Sequence, residues 1–160
     1  MRIIVDIGHP AHVHFFRNFI RLMRERGHEI LITAGKKDVT LDLLKEYGLN
    51  YIYTCERHSG IGLAWELLKR DAQMFRLALE FKPDIITGIY STIAAHVSRV
   101  TRAKSIIFTD DLPRSVRLAS MVTLPFSDVV CTPAYRREKI GRKCVKYNGY
   151  HELAYLHPDY

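Results

Sequence analysis

The apolar positions of this chain change period repeatedly, in the order strand, helix, strand, helix. Ile3-Ile4-Val5 with Ile7-Gly8 is a short apolar run that stops at a glycine and reads as a buried strand. From Phe15 to Arg26 the residues Phe15, Phe16, Phe19, Ile20, Leu22 and Met23 return at helical spacing, and Gly27 is a natural stop. His28 to Thr33 is the next strand. Leu41, Leu43, Leu44 and Tyr47 predict a second helix ending at Gly48, before the short run Tyr51-Ile52-Tyr53. Leu63, Leu67, Met74, Leu77 and Phe81 predict a long helix from about 62 to 81, broken by Lys82-Pro83-Asp84. Ile85-Ile86-Thr87 is again a strand ending in glycine, Ile93 to Val100 a helix, and Lys104 to Phe108 a strand running into Thr109-Asp110-Asp111. Arg114 to Val122 reads as helical, and Asp128-Val129-Val130 and Val145-Lys146-Tyr147 as short strands. No internal repeat is present.

Strands alternating with helices imply βαβ units with right-handed crossovers. The expected fold is therefore α/β: a three-layer α/β/α Rossmann-like domain on a mostly parallel sheet of six or seven strands, with the first strand central. Ligands of such sheets bind beyond the carboxyl ends of the strands. Polar residues collect there in this sequence: 6–14 after the first strand, 88–92 after the fourth and 109–111 after the fifth.

Composition changes this picture little, and charge only somewhat. At 160 residues, with 48% apolar and 26% charged side chains, the chain has enough length for one packed core. That excludes disordered, collagen-like and low-complexity classes. Cys55, Cys131 and Cys144 are odd in number and far apart, which argues against a disulfide framework or a thiolate zinc site and for a cytoplasmic setting. The longest uncharged stretch, Ile85 to Ser98, is 14 residues, short of a membrane span. Net charge is +7, divided as +2 over residues 1–80 and +5 over 81–160. The excess around 136–146 suits phosphate-bearing partners or an anionic membrane surface, and equally a solvated face. Nucleic acid is not expected, because only Tyr135 and Tyr147 flank those basic residues and no nucleic-acid-binding signature accompanies them.

Three constellations carry candidate chemistry. His9, His12 and His14 stand between a strand and a helix, with Gly8 and Pro10 tightening the turn. Imidazoles so spaced suit Zn²⁺ or Fe²⁺, but 160 residues cannot supply the eight βα units of a barrel hydrolase that begins this way. A loop of imidazoles and helix N-terminal N–H groups aimed at an oxygen-rich ligand fits better, beside the plainer reading of local helix capping. Accordingly no metal and no cofactor is expected. Tyr90-Ser91-Thr92 opens a helix, where Ser91 or Thr92 caps the first turn or the N-terminus holds an anion or sugar hydroxyls. His96, one turn inside, is expected to pack. Asp110 and Asp111 end a buried strand, where adjacent carboxylates are costly unless solvated, paired or working as a base. A base or sugar-hydroxyl acceptor is the functional reading, and an Asp cap before Leu112-Pro113 the structural one. Gly-x-Gly-x-x-Gly, the P-loop and Gly-x-Ser-x-Gly are all absent, so a dinucleotide site, a P-loop nucleotide site and a serine-hydrolase elbow have no support.

With these motifs assembled, the sequence resembles the amino-terminal half of a prokaryotic, largely archaeal family of unknown function. That family belongs to the GT-B glycosyltransferase and UDP-N-acetylglucosamine 2-epimerase superfamily. The resemblance is carried by IVDIGHPAHVHFFRNFI (4–20), RGHEILITAGKKD (26–38), FKPDIITG (81–88), AAHVSRV (94–100), SIIFTDD (105–111) and YNGYHELAYLHP (147–158). It implies relatives about twice as long, with an acceptor-binding first domain, a donor-binding second domain and catalysis between them. It also implies that an acidic residue at the end of strand five contributes to catalysis, for which Asp110 is the nearest match. Relatives usually carry an acidic residue and a histidine shortly after that Thr-Asp, whereas here Asp111-Leu112-Pro113-Arg114 follows.

The resulting expectation is an acceptor-binding half-domain, glycosyltransferase-like or nucleotide-sugar-epimerase-like and inactive without a donor-binding partner. The alternative is a non-catalytic binding or scaffold subunit of a split sugar-processing complex. Asp110 and His9 are the candidate catalytic residues; His12, His14, Tyr90, Ser91, Thr92 and Asp111 are the candidate ligand contacts. Residues 1–148 would form the domain, and 149–160 a tail toward an absent second one, the chain being an excised piece, a truncated product or one subunit of a split enzyme. Expected partners are a sugar acceptor or nucleotide sugar, a second Rossmann-like domain or subunit, a second copy of the chain, and peripherally a membrane. Tyr150, Leu153, Tyr155 and Leu156 in the tail are expected to fold back on the domain or to mediate self-association.

Overall fold

The computed structural model describes residues 1–56, 63–109, 116–135 and 143–157, without the side chains of residues 55, 56 and 63–66. In chain order the elements are β1 (Arg2–Ile7), α1 (Pro10–Glu25), β2 (Glu29–Lys36), α2 (Thr40–Glu46), β3 (Ile52–Glu56), α3 (Leu63–Phe81) and β4 (Ile85–Ile89). They continue with α4 (Thr92–Val100), β5 (Lys104–Phe108), α5 (Arg117–Thr123), a 3-10 turn (Leu124–Phe126), β6 (Val129–Pro133), β7 (Cys144–Tyr147) and α6 (Leu153–Leu156). The seven strands form one sheet in the order β3-β2-β1-β4-β5-β6-β7, and every pairing is parallel. The α/β Rossmann-like architecture expected from the sequence is thus present. The middle strand is β4, with β1 beside it, because three strands lie on the far side of β4 and only two on the far side of β1.

Strand alternation divides the core between the two faces of the sheet. Ile3, Val5 and Ile7 of β1 join Val13, Phe16 and Ile20 of α1 and Leu44 of α2 on one face. Ile4 joins Ile86, Met74 and Ala78 of α3, and Ile93, Ala94 and Val97 of α4 on the other. A parallel sheet covered on both sides explains why its inner strands are continuously apolar rather than alternating.

Helix α1 begins at Pro10, five residues before the apolar series predicts. Proline fits the first helical position, and the His9 ring caps it by accepting the Ala11 N–H at 3.2 Å. His12 and His14 are therefore helical residues, not members of a loop. At the other end Gly27, at φ 78°, closes the helix: its N–H reaches Arg24 O and the His28 N–H reaches Met23 O. The same arrangement recurs at Gly48, at φ 62°. Both sites need a left-handed residue, which glycine adopts without steric cost.

The tail folds back on α1. Asn18 Nδ2 donates to Ala154 O at 2.8 Å, the Tyr155 ring lies 5.6 Å from that of His14, and His151 is buried against Phe15 with ring centroids 4.5 Å apart. Leu153 and Tyr155 are half-covered there, whereas Tyr150 and Leu156 remain 49% and 69% exposed.

Candidate functional site

The parity of β1 determines where its last polar residue goes. Asp6 shares the face of Ile4, so its carboxylate turns toward α3 and α4 and lies 4% exposed. Its register partners are Thr33 of β2 on one side and Gly88 of β4 on the other. Thr33 donates its hydroxyl to one Asp6 oxygen at 3.0 Å, and Ser91 donates to the other at 2.6 Å. Gly88 makes the second contact possible. A Cβ there would stand 2.7 Å from Ser91 Cβ and 2.9 Å from Asp6 O, closer than packing allows.

Ser91 also caps α4, accepting the Ala94 N–H at 3.1 Å. The residue before it, Tyr90, sits at φ +43°, a region that a bulky side chain rarely occupies. Its N–H donates to Phe108 O at 3.0 Å, which holds the turn in place. Backbone strain of this kind clusters at functional sites.

These residues open onto a cleft of about 340 Å³ beyond the carboxyl ends of β1 and β4. Its polar floor is Asp6, Gly8, His12, Arg70, Ser91 and Thr92, and its apolar wall comes from Leu67, Ile93, Leu118 and Val122. The volume is at the lower end of the roughly 300–1,000 Å³ of small-molecule sites. The location also follows from topology. From β1 the chain moves outward to β2 and β3, then crosses back to β4 and proceeds the other way. The cleft lies at that reversal, where open α/β sheets bind ligands. A larger hollow of about 790 Å³ lies at the opposite end of the sheet, lined by Lys82, Pro83, Asp84, Arg99 and Arg102.

Helix α5 is fixed as the outer wall by two contacts. Thr92 and Thr123 share a hydroxyl hydrogen bond at 2.7 Å, and His96 bridges α3 to α5, with Nδ1 2.8 Å from Asp71 Oδ2 and Nε2 2.9 Å from Val122 O. A carbonyl only accepts, so Nε2 carries a proton. Burial raises the Asp71 carboxyl above its ordinary range, against the opposing pull of His96 and Arg70.

Of the residues expected from the sequence, His12, Tyr90, Ser91 and Thr92 come together in the cleft. His12 Nδ1 accepts the Gly8 N–H at 3.3 Å, and the His9 ring lies beside it, centroids 5.8 Å apart, while capping α1. His14 turns to the other side of α1, where its Nδ1 is 3.2 Å from the Tyr47 hydroxyl. Asp110 and Asp111 lie outside the described residues; Thr109, the residue before them, is buried and bonded through its N–H to Cys131 O at 3.0 Å. Among the described residues no group of three or more His, Cys, Asp or Glu side chains is placed to hold a metal ion. None of the described helices is long and apolar enough to cross a membrane.

The sequence reading missed Asp6 and Arg70 as candidates, though both left a signal. Asp6 interrupts an apolar strand, and Arg70-Asp71 occupies the gap between Leu67 and Met74 in the apolar series of α3.

A family model described as "Protein of unknown function (DUF354)" matches residues 1–157. No curated protein matches the sequence. Among solved structures, the glycosyltransferase SsfS6 of Streptomyces sp. SF2575 superposes with a TM-score of 0.66 at 18% identity, over 93% of this chain and 56% of its own. MurG of Acinetobacter baumannii gives 0.70 at 14% identity, over 91% and 45%. The UDP-GlcNAc 2-epimerase of Methanocaldococcus jannaschii gives 0.66 at 13%, over 84% and 40%. The chain thus has a GT-B-like fold and spans about half the length of these proteins.

Proposed function

The chain belongs to DUF354, a family of unknown function, and on that premise we propose that it is the acceptor-binding half of a sugar-processing enzyme, glycosyltransferase-like or nucleotide-sugar-epimerase-like. The observation that carries this reading is the position of the cleft. A polar floor and an apolar wall meet at the strand reversal of a sheet shared with glycosyltransferases and epimerases. A sugar suits such a site: His12, Ser91 and Thr92 exchange hydrogen bonds with hydroxyls, while Leu118 and Val122 cover an apolar ring face.

In this reading Asp110 is the base and His9 its partner in proton transfer. Raising the nucleophilicity of an acceptor hydroxyl needs a carboxylate within about 2.6–3.2 Å of it. Asp111 completes the ligand contacts, and His14, engaged with Tyr47, is left out. Residues 1–148 form the acceptor domain, 149–160 lead toward a donor-binding half, and turnover requires that half as a separate domain, a subunit or a second copy. The setting is the cytoplasm, with the basic segment 136–146 as the part of the chain that would meet an anionic membrane surface.

Calorimetry with free sugars and with UDP-sugars, on the chain alone and with a candidate donor half, tests the assignment. The expected result is sugar binding by the chain alone, with tight UDP-sugar binding only when the partner is present. Tight nucleotide binding by the isolated chain would contradict it.

A further inference from the structure

The cleft is lined by a buried guanidinium that no described residue meets in a hydrogen bond or salt bridge. Arg70 stands on α3 between Leu67 and Met74, is only 8% exposed, and lines the cleft together with Asp6, His12 and Ser91. Its buried Nε has no hydrogen-bond partner among the described residues. The carboxyl next to it in the chain, Asp71, directs Oδ2 at His96. Both oxygens of Asp6 already accept hydroxyl hydrogens, from Thr33 and Ser91.

A guanidinium stays protonated throughout the range in which proteins are folded, so it cannot escape burial by neutralising itself. Leaving it without an ion-pair partner is strongly unfavourable unless something else completes it. Its planar fork of donors matches the paired oxygens of a carboxylate or phosphate. A second feature reinforces the same sign of charge. The nine-residue helix α4 starts at this cleft, with Thr92 and Ile93 of its first turn in the lining, and a helix N-terminus favours an anion.

We propose that Arg70 anchors an anionic oxygen group, carboxylate or phosphate, carried by the ligand of this cleft. Resting on the sugar-binding reading above, this makes the ligand class an acidic or phosphorylated sugar. Asp6 repels an anion, so the charged substituent sits on the Arg70 side and uncharged hydroxyls face Asp6. The apolar wall from Leu118 and Val122 then covers the ring between the two.

The test is calorimetry and thermal melting of the full chain at low salt with four probes: glucose 1-phosphate, glucuronate, glucose and inorganic phosphate. At least one anionic sugar is expected to bind about tenfold or more tightly than glucose, as charge-assisted bidentate bonds require. Arg70→Met is expected to abolish that preference, and Arg70→Lys to retain only part of it, because the ammonium keeps the charge without the fork. Arg70→Met is also expected to melt no lower than the parent without ligand, since it removes a buried charge whose Nε has no hydrogen-bond partner among the described residues. If inorganic phosphate raises the melting temperature of the parent but not of Arg70→Met while no sugar has any effect, the anion site stands and the sugar reading fails. Equal binding of glucose and the anionic sugars, undiminished anion binding by Arg70→Met, or no response to any of the four probes would each overturn the proposal.

Discussion

Gly88 shows how closely the site depends on single atoms. The Asp6–Ser91 hydrogen bond exists because position 88 has no Cβ, so Gly88→Ala forces Ser91 or the β1 backbone to move. The expected cost is about 1–3 kcal/mol of stability, as for other overpacked interiors, together with loss of any ligand affinity in the cleft. Denaturant unfolding reads the first and calorimetry the second. Asp128 offers a pH-dependent counterpart away from the site. Burial opposes its charge, but the Ser105 N–H and hydroxyl and the Lys104 ammonium outweigh that and hold the carboxyl below its ordinary range. The unfolded chain therefore binds this proton more readily. Ionised Asp128 contributes stability that is complete above about 3.9 and is lost as pH falls through its lower folded value. Asp128→Asn should cost about 1–3 kcal/mol near neutral pH, the range for hydrogen bonds to a charged group. That deficit should close as the medium is acidified below the ordinary carboxyl range, which parallel unfolding curves would show. At this scale the sequence was partly legible. Strand tips pointed to Tyr90, Ser91 and His12, but Asp6 and Arg70 required the face of each element to be known, and a single sequence does not say which face meets the cleft.

Elements were more legible than residues, because apolar spacing of 2 or 3.6 survives without tertiary knowledge. The strands and long helices stand close to where the periodicity puts them. The exceptions are ends set by capping, such as α1 starting at Pro10, and the short helix α6, whose four residues are too few to show a period. His96 was expected to pack, and it does so as a strut joining α3, α4 and α5. His96→Ala leaves the Asp71 carboxyl and the Val122 carbonyl without these bonds. It should cost about 1–3 kcal/mol and raise amide exchange across α5 ahead of the sheet. The tail divides its apolar residues between two roles. Tyr155 lies against α1, so Tyr155→Ser should speed amide exchange in residues 150–157. Leu156 is exposed, so Leu156→Ser should leave that exchange unchanged and alter only sedimentation, if this face self-associates.

For the molecule as a whole, the alternation of strands and helices was sufficient to give a parallel three-layer fold. The order of strands was not readable in advance, since β4 could join either edge of the first three strands without changing the periodicity. That order matters most for function, because it places the reversal between β1 and β4 and with it the cleft. Of the charge at 136–146, prominent in the sequence, residues 136–142 lie outside the described residues, and Lys143 donates to Pro125 O and Ser127 O. The proposed function therefore requires that a sugar ligand enter between the tips of β1 and β4. Amide chemical-shift mapping of the full chain during titration with glucose 1-phosphate tests it most directly. The predicted result is shifts concentrated at residues 6–12, 88–93 and 118–122, with Arg70 among them. Shifts confined to the amino-terminal end of the sheet around 82–84 and 99–102, or none at all across a panel of neutral and anionic sugars, would contradict the account.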